Sequence, residues 1–161
     1  MASSASAFNY KRAITTFLAS YIAVEIVCAA VSVITQTLLH ETTKTADVHN
    51  RAFVATEHFY PLINLALWTL FARIYFKNRS GKFSAAGEAI RLGTAWLITA
   101  SIFDIIFFIL IKEPYSLSFH DFYIGQTPWI YLVYLALFIS PLFSVYLWKP
   151  RSASKKSPLA S

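Results

Sequence analysis

Apolar residues form four long runs along this chain, and short polar segments separate them. The runs cover residues 13–39, 59–76, 91–111 and 128–148. A helix needs about twenty apolar residues to cross the hydrocarbon core of a bilayer. Because a helix pairs its own backbone polar groups, it suits an environment without water. The pattern therefore predicts an all-α, antiparallel four-helix transmembrane bundle.

Basic residues are concentrated in three of the five polar segments. Residues 1–12, 77–88 and 149–161 are rich in Lys and Arg, whereas the loops 40–58 and 112–127 contain few cations, with acids nearby. Cytoplasmic segments of membrane proteins carry the excess of Lys and Arg. We therefore expect both termini to be cytoplasmic and the two weakly basic loops to face outward.

Composition supports a membrane protein of one domain, over residues 13–148, with a cytoplasmic tail at 1–12 and a disordered basic tail at 149–161. Only 14 % of residues are charged and 57 % are apolar, whereas a soluble domain has about 25 % charged residues. The net charge is +6, and the basic residues that produce it flank the apolar runs. The expected partner is therefore the lipid bilayer and not nucleic acid. A single cysteine, Cys28, excludes an intrachain disulfide.

Two acidic residues lie inside the predicted spans. Glu25 follows Arg12 by 13 residues, and Asp104 follows Arg91 by the same number. At ~1.5 Å per residue, both acids lie about 20 Å above a cytoplasmic arginine. A charge in the membrane centre costs about 2.5–3.5 kcal/mol on insertion scales. We therefore expect both acids to face the interior of the bundle.

These acids predict an intramembrane polar site. If the two carboxyl groups approach within about 6 Å, they share a proton and can relay protons or hold a cation. Asn64, Tyr134 and Ser140 come from the other two spans at suitable depths to complete a polar pocket. Alternatively, each acid only hydrogen-bonds a neighbouring helix and holds the bundle together.

The first and third spans share a spacing of polar residues, which indicates either an internal duplication or a coincidence. The positions are Arg12, Thr15, Ser20 and Glu25 in the first span, and Arg91, Thr94, Thr99 and Asp104 in the third. A duplicated hairpin would place the two halves around an axis along the membrane normal.

The four histidines all lie in the segments predicted to face outward, and each has an acid close in sequence. They are His40, His49, His58 and His120. Imidazole and carboxylate groups are ligands for Zn²⁺ and similar ions. Because no known ligand spacing is present, we expect solvated loops and no metal site.

The sequence lacks the residues that several classes of catalytic and cofactor site require. The chain has no P-loop, no GxGxxG and no GxSxG motif. No histidine lies inside a span, which disfavours a haem held within the bilayer, and quinone-linked disulfide exchange would need cysteine pairs. We therefore predict no cofactor.

The segment Glu88-x4-Gly93-x2-Trp96-x7-Asp104 resembles a pattern of small four-span bacterial membrane proteins of uncharacterised function. There an acid–glycine–tryptophan–aspartate helix follows a basic turn. The resemblance covers about 25 of the 161 residues. It implies a four-helix protein of the bacterial cytoplasmic membrane and carries no activity with it.

Three functions remain open at this point. The first is a proton-coupled permease or permease-like subunit for a small or cationic solute. The second is a non-catalytic protein that binds lipid or a partner, in which the acids only join helices. The third is an intramembrane enzyme with the carboxylates as acid and base. A homodimer fits the small size, because four helices rarely enclose a complete pathway.

Overall fold

The computed structural model describes residues 8–41, 48–77, 84–111 and 116–148, and these residues contain helices and no strand. The predicted tail at 149–161 lies outside them. Four helical stretches are long and apolar enough to cross a membrane: Tyr10–Leu38, Arg51–Phe76, Ala85–Leu110 and Trp129–Leu147. The all-α class is confirmed, and the four stretches are compatible with a multi-pass membrane protein.

The helices follow the four apolar runs, and two further helical segments, Arg51–Thr56 and Asp121–Gly125, lie in the predicted loops. Helix α1 covers Tyr10–Leu38, α2 covers Arg51–Thr56, α3 covers Tyr60–Phe76, α4 covers Ala85–Asp104 and α5 covers Trp129–Leu147. A 3-10 turn at Glu57–Phe59 joins α2 to α3. Two π-helical segments, Ile105–Leu110 and Asp121–Gly125, extend α4 and precede α5.

The second membrane-compatible stretch begins earlier than the hydrophobic pattern predicts. Residues 51–58 were expected to belong to a loop, but helix begins at Arg51. The side chain of Asn50 accepts a hydrogen bond from the Ala52 N–H at 2.7 Å and caps α2. Ala52 and Thr56 are both buried, and because they lie four residues apart they share one helix face. This short buried face stabilises a helix of only six residues.

The far end of α1 is closed by a Schellman motif. The N–H of Glu41 donates to the Gln36 carbonyl at 2.9 Å, and the N–H of His40 donates to Thr37 at 3.3 Å. His40 adopts a left-handed conformation with φ of 54°. This geometry satisfies carbonyl groups that the helix end would leave unpaired.

Side-chain contacts join three helices at one end of the bundle. The Arg12 guanidinium, in the first turn of α1, donates to the Ile74 carbonyl near the end of α3 at 2.6 Å. The Tyr75 hydroxyl donates to Glu88, in the first turn of α4, at 3.1 Å. We call this region, defined by these four residues, the Arg12 end of the bundle.

Helices α4 and α5 approach closely at Gly93. A Cβ atom at this position would overlap the backbone carbonyl oxygen of Phe138 in α5. Glycine therefore permits a backbone approach that no other residue allows here.

The expected contacts of small residues are met in the third predicted span and not in the first. We expected close packing at five small residues: Ala29, Ala30, Gly93, Ala95 and Ala100. Gly93 and Ala100 are buried and Ala95 is half-buried. Ala29 and Ala30 are exposed, so within a single chain that expectation is wrong for α1.

Aromatic side chains fill the centre of the bundle. The Phe17 and Trp68 rings lie 5.5 Å apart, and the Trp68 and Trp96 rings lie 5.1 Å apart. All three side chains are almost completely buried. One aromatic cluster thus joins α1, α3 and α4 beside the polar site described next.

Candidate functional site

Asp104 bridges two other helices through its two carboxyl oxygens. The Tyr21 hydroxyl, from α1, donates to Oδ1 at 2.7 Å, and the Tyr134 hydroxyl, from α5, donates to Oδ2 at 2.8 Å. Asp104 is only 8 % exposed. We call these three residues the Asp104 bridge. It joins α1, α4 and α5 at one point inside the bundle.

Neighbouring rings hold the two tyrosines of the bridge in place. The Tyr21 ring lies 5.6 Å from Phe17 in its own helix and 5.6 Å from Phe103 in α4. Tyr134 also interacts with Tyr123, which lies in the π-helical segment before α5. Through Tyr134, the Asp104 bridge is therefore connected to the π-helical segment that precedes α5.

The backbone changes its hydrogen-bonding pattern directly after Asp104. Helix α4 ends at this residue, and the next six residues, Ile105–Leu110, are π-helical. π-Helical segments are rare in proteins, and those that occur are often found at functional sites. The wider turn of the π-helix sets the direction of the chain beyond Asp104. A change in the hydrogen bonds of Asp104 therefore occurs next to a backbone segment that can change its conformation.

The arrangement around Asp104 suits an ionised carboxylate, which only accepts hydrogen bonds. Each oxygen receives one strong hydroxyl donor, and hydrogen bonds to an ionised acceptor are short and strong. When the carboxyl group gains a proton, one oxygen becomes a donor and one tyrosine hydroxyl must accept instead. Protonation thus changes the contact of Asp104 with either α1 or α5.

Glu25 does not join the bridge. Its side chain is exposed at the surface of the chain, and it lies one helical turn beyond Tyr21. Its charge and that of Asp104 interact, but the two tyrosine hydroxyls occupy Asp104. The expectation of an inward-facing side chain is met by Asp104 and not by Glu25.

Asn64 is buried, but its hydrogen bonds stay within α3. Its Nδ2 donates to the Tyr60 carbonyl at 2.9 Å, and its Oδ1 accepts from the Trp68 indole N–H at 3.0 Å. The Tyr60 hydroxyl lies 2.7 Å from the Ser32 hydroxyl of α1. Asn64 therefore orients Trp68 in the aromatic cluster, and its hydrogen bonds do not include Asp104.

Ser140 supports the backbone of α5 at its internal proline. Pro141 has no N–H to donate to the Leu137 carbonyl, four residues earlier. The Ser140 hydroxyl donates to that same carbonyl at 2.8 Å. A backbone acceptor that would otherwise be unpaired in a buried helix is thereby satisfied, and Ser140 makes this contact rather than one to Asp104.

The four histidines are exposed in the structure, as expected: His40, His49, His58 and His120. His120 Nδ1 lies 3.5 Å from Asp121 Oδ1, and a hydrogen bond from Ser118 lowers the pKa of Asp121 below its usual value. Within the described ranges, no three metal-ligating side chains are grouped so that they could hold an ion.

The four residues of the acid–glycine–tryptophan–aspartate pattern each contact another helix. Glu88 accepts a hydrogen bond from α3, and Gly93 abuts the backbone of α5. The Trp96 indole N–H donates to a backbone carbonyl of α1 at 3.0 Å, and Asp104 contacts α1 and α5. The pattern thus marks the side of α4 that joins the bundle.

Tyr21 is the member of the bridge that sequence reasoning missed. It lies four residues before Glu25, and in the sequence it is one of many aromatic residues. A signal was present, because Tyr21 lies one helical turn from Glu25, which the arginine spacing places at the depth of Asp104.

Comparison with known proteins returns no relative. No family model, no curated protein and no solved structure matches this chain.

Proposed function

We propose that the chain crosses the cytoplasmic membrane four times as an antiparallel bundle with both termini in the cytoplasm. The contacts at the Arg12 end support this arrangement, because the first turn of α1 meets the last turn of α3, and the end of α3 meets the first turn of α4. Consecutive spans then run in opposite directions. The cations of residues 1–12, 77–88 and 149–161 would lie on the same side.

Two matched alanines test this topology. In a Cys28→Ser background, Ala55→Cys in α2 should react with a membrane-impermeant maleimide added to intact cells. Ala86→Cys in α4 should react only after the cells are opened. Both alanines are exposed, so a difference in labelling reports the side of the membrane. The reverse pattern, or equal labelling of both positions, would contradict the proposed orientation.

We further propose that the protein is a proton-coupled permease or permease-like subunit, with Asp104 as the proton-binding residue. The observation that carries this proposal is the Asp104 bridge, in which one buried acid is joined to two helices by two separate hydroxyl donors. Because a carboxylate and a carboxyl group require different partners, proton binding alters how the helices are joined. That is the element a proton-coupled transporter needs.

The charge of the site favours a cationic solute. Asp104 is an acid within the predicted membrane-spanning region, and the charge of Glu25, outside the bridge, interacts with it. Ionisable residues inside spans mark solute and proton pathways by default. A cation that approaches Asp104 competes with the proton, and such competition is the simplest way to couple the two movements.

Vesicles that contain the purified protein test the coupling. With the membrane potential clamped, an imposed pH gradient should drive uptake of guanidinium or tetraphenylphosphonium by the native protein. Asp104→Asn should abolish this uptake, because the amide keeps the size of the side chain but cannot bind a proton in the same pH range. Asp121→Asn, at an exposed surface acid, is the matched control and should transport normally.

Two results would contradict the permease. One is the absence of gradient-driven uptake of either probe by the native protein, and the other is equal uptake by Asp104→Asn. Either would favour the second candidate, in which Asp104 only joins helices. A specific observation supports that alternative: a hydroxyl group from another helix already occupies each of the two oxygens.

A further inference from the structure

One face of α1 carries an acidic side chain that is exposed in the described part of the chain. Glu25 lies near the middle of this 29-residue helix and is exposed. Two side chains on the same face are apolar and exposed, Ile22 three residues before it and Ala29 four residues after it. Residues three and four apart share a helix face, so this side of the carboxyl group is lined by side chains suited to lipid, while Tyr21 and Cys28 lie on its other side.

The chain itself offers Glu25 no hydrogen-bond partner within residues 8–41, 48–77, 84–111 and 116–148. The charges of Asp104 and Glu25 interact, but both oxygens of Asp104 accept hydrogen bonds from tyrosines. Acyl chains cannot donate or accept hydrogen bonds, so a polar group in contact with them is unfavourable whether it is ionised or neutral. None of the described residues supplies that partner, so a second molecule is a suitable source of it.

A second Glu25 is chemically suited to be that partner. A protonated carboxyl group has one donor and one acceptor, so two of them can form a pair of hydrogen bonds with each other. A two-fold axis along the membrane normal brings each residue opposite its own counterpart. Ala29, one turn from Glu25, has a small side chain that allows two helices to approach closely.

We propose that α1 forms a homodimer interface in which Glu25 of one copy hydrogen-bonds the partner's Glu25. The interface would contain Ile22, Glu25 and Ala29 from each copy and would cover the exposed face of α1. It also accounts for the exposure of Ala29, which was expected to pack closely and finds no helix within one chain. The dimer does not depend on proton binding at Asp104, so the permease and the interface can fail separately.

Disulfide cross-linking in membranes tests the interface. In a Cys28→Ser background, Ala29→Cys should give a covalent dimer on mild oxidation. Ala66→Cys, at an exposed alanine of α3, is the matched control and should remain largely monomeric. Equal cross-linking at both positions would indicate random collision, and no cross-linking at Ala29→Cys would also overturn the proposal.

Substitution of Glu25 tests the hydrogen bond itself. Glu25→Gln keeps a donor and an acceptor in one side chain and should preserve the dimer. Glu25→Leu should raise the dissociation constant in lipid bilayers by about three- to twenty-fold, the range measured for hydrogen bonds between membrane helices. The dimer fraction can be counted by single-molecule photobleaching. An unchanged or strengthened dimer in Glu25→Leu, or a native protein that is monomeric throughout, would exclude this interface.

Discussion

Replacing Gly93 with alanine should force α4 and α5 apart and destabilise the protein by about 2–3 kcal/mol. The new Cβ would overlap the carbonyl oxygen of Phe138. This oxygen belongs to the backbone of α5, so no rotation of a side chain can relieve the contact. The higher intrinsic helix propensity of alanine, about 1 kcal/mol, offsets only part of this loss. Reversible unfolding in mixed micelles measures the difference.

Gly87 provides the matched control in the same helix. A Cβ at Gly87 would meet only the hydroxyl of Ser84, at 2.9 Å, and this side chain can rotate away. The weakened cap and the gain in helix propensity nearly cancel, so Gly87→Ala should change stability by less than about 1 kcal/mol. If both variants lose the same stability, the close approach of α4 and α5 is not what Gly93 provides.

Removal of the Asp104 side chain should have the second large effect. Asp104→Ala leaves the hydroxyls of Tyr21 and Tyr134 without their acceptor and should cost about 1–3 kcal/mol of stability. Asp104→Asn retains an acceptor oxygen and adds an N–H that a tyrosine oxygen can accept. It should therefore lose less than about 1 kcal/mol. The same unfolding measurement ranks the two variants.

Substitution of Tyr134, one of the two donors to Asp104, checks this prediction independently. Tyr134→Phe removes one donor, and the further loss caused by Asp104→Ala should then be smaller than in the native protein, because the two residues act on the same contact. Tyr131→Phe, at an exposed tyrosine of α5, is the control and should leave the effect of Asp104→Ala unchanged. Strict additivity would mean that the contact between Tyr134 and Asp104 contributes nothing to stability.

The helices could be predicted from the sequence because backbone groups in a bilayer must be paired within each span. Helix α4 begins at Ala85, earlier than the predicted start at residue 91, because Ser84 caps it. The error at residues 51–58 also has a physical cause. There a cap at Asn50 and two buried positions, Ala52 and Thr56, stabilise a short helix. Two buried positions are too few to give a recognisable helical period.

The candidate site could be predicted only in part. The cost of a charge in a span identified Asp104 as a buried residue, and depth identified Tyr134 as a possible partner, which the structure places on Oδ2. The same cost argument predicted an inward orientation of Glu25, which is exposed within one chain. Sequence spacing shows which residues share a helix face, but it does not show which neighbour covers that face. Asn64 and Ser140 are polar for local reasons, since one orients Trp68 and the other satisfies the Leu137 carbonyl.

The central claim is that Asp104 binds a proton and that its two tyrosine contacts change when it does. Infrared difference spectroscopy on the protein in lipid bilayers, recorded across a pH step, tests this directly. The account predicts a carboxyl C=O band on acidification that shifts in Tyr134→Phe and in Tyr21→Phe and is lost in Asp104→Asn. A band that persists in Asp104→Asn and disappears only in Glu25→Gln would contradict it.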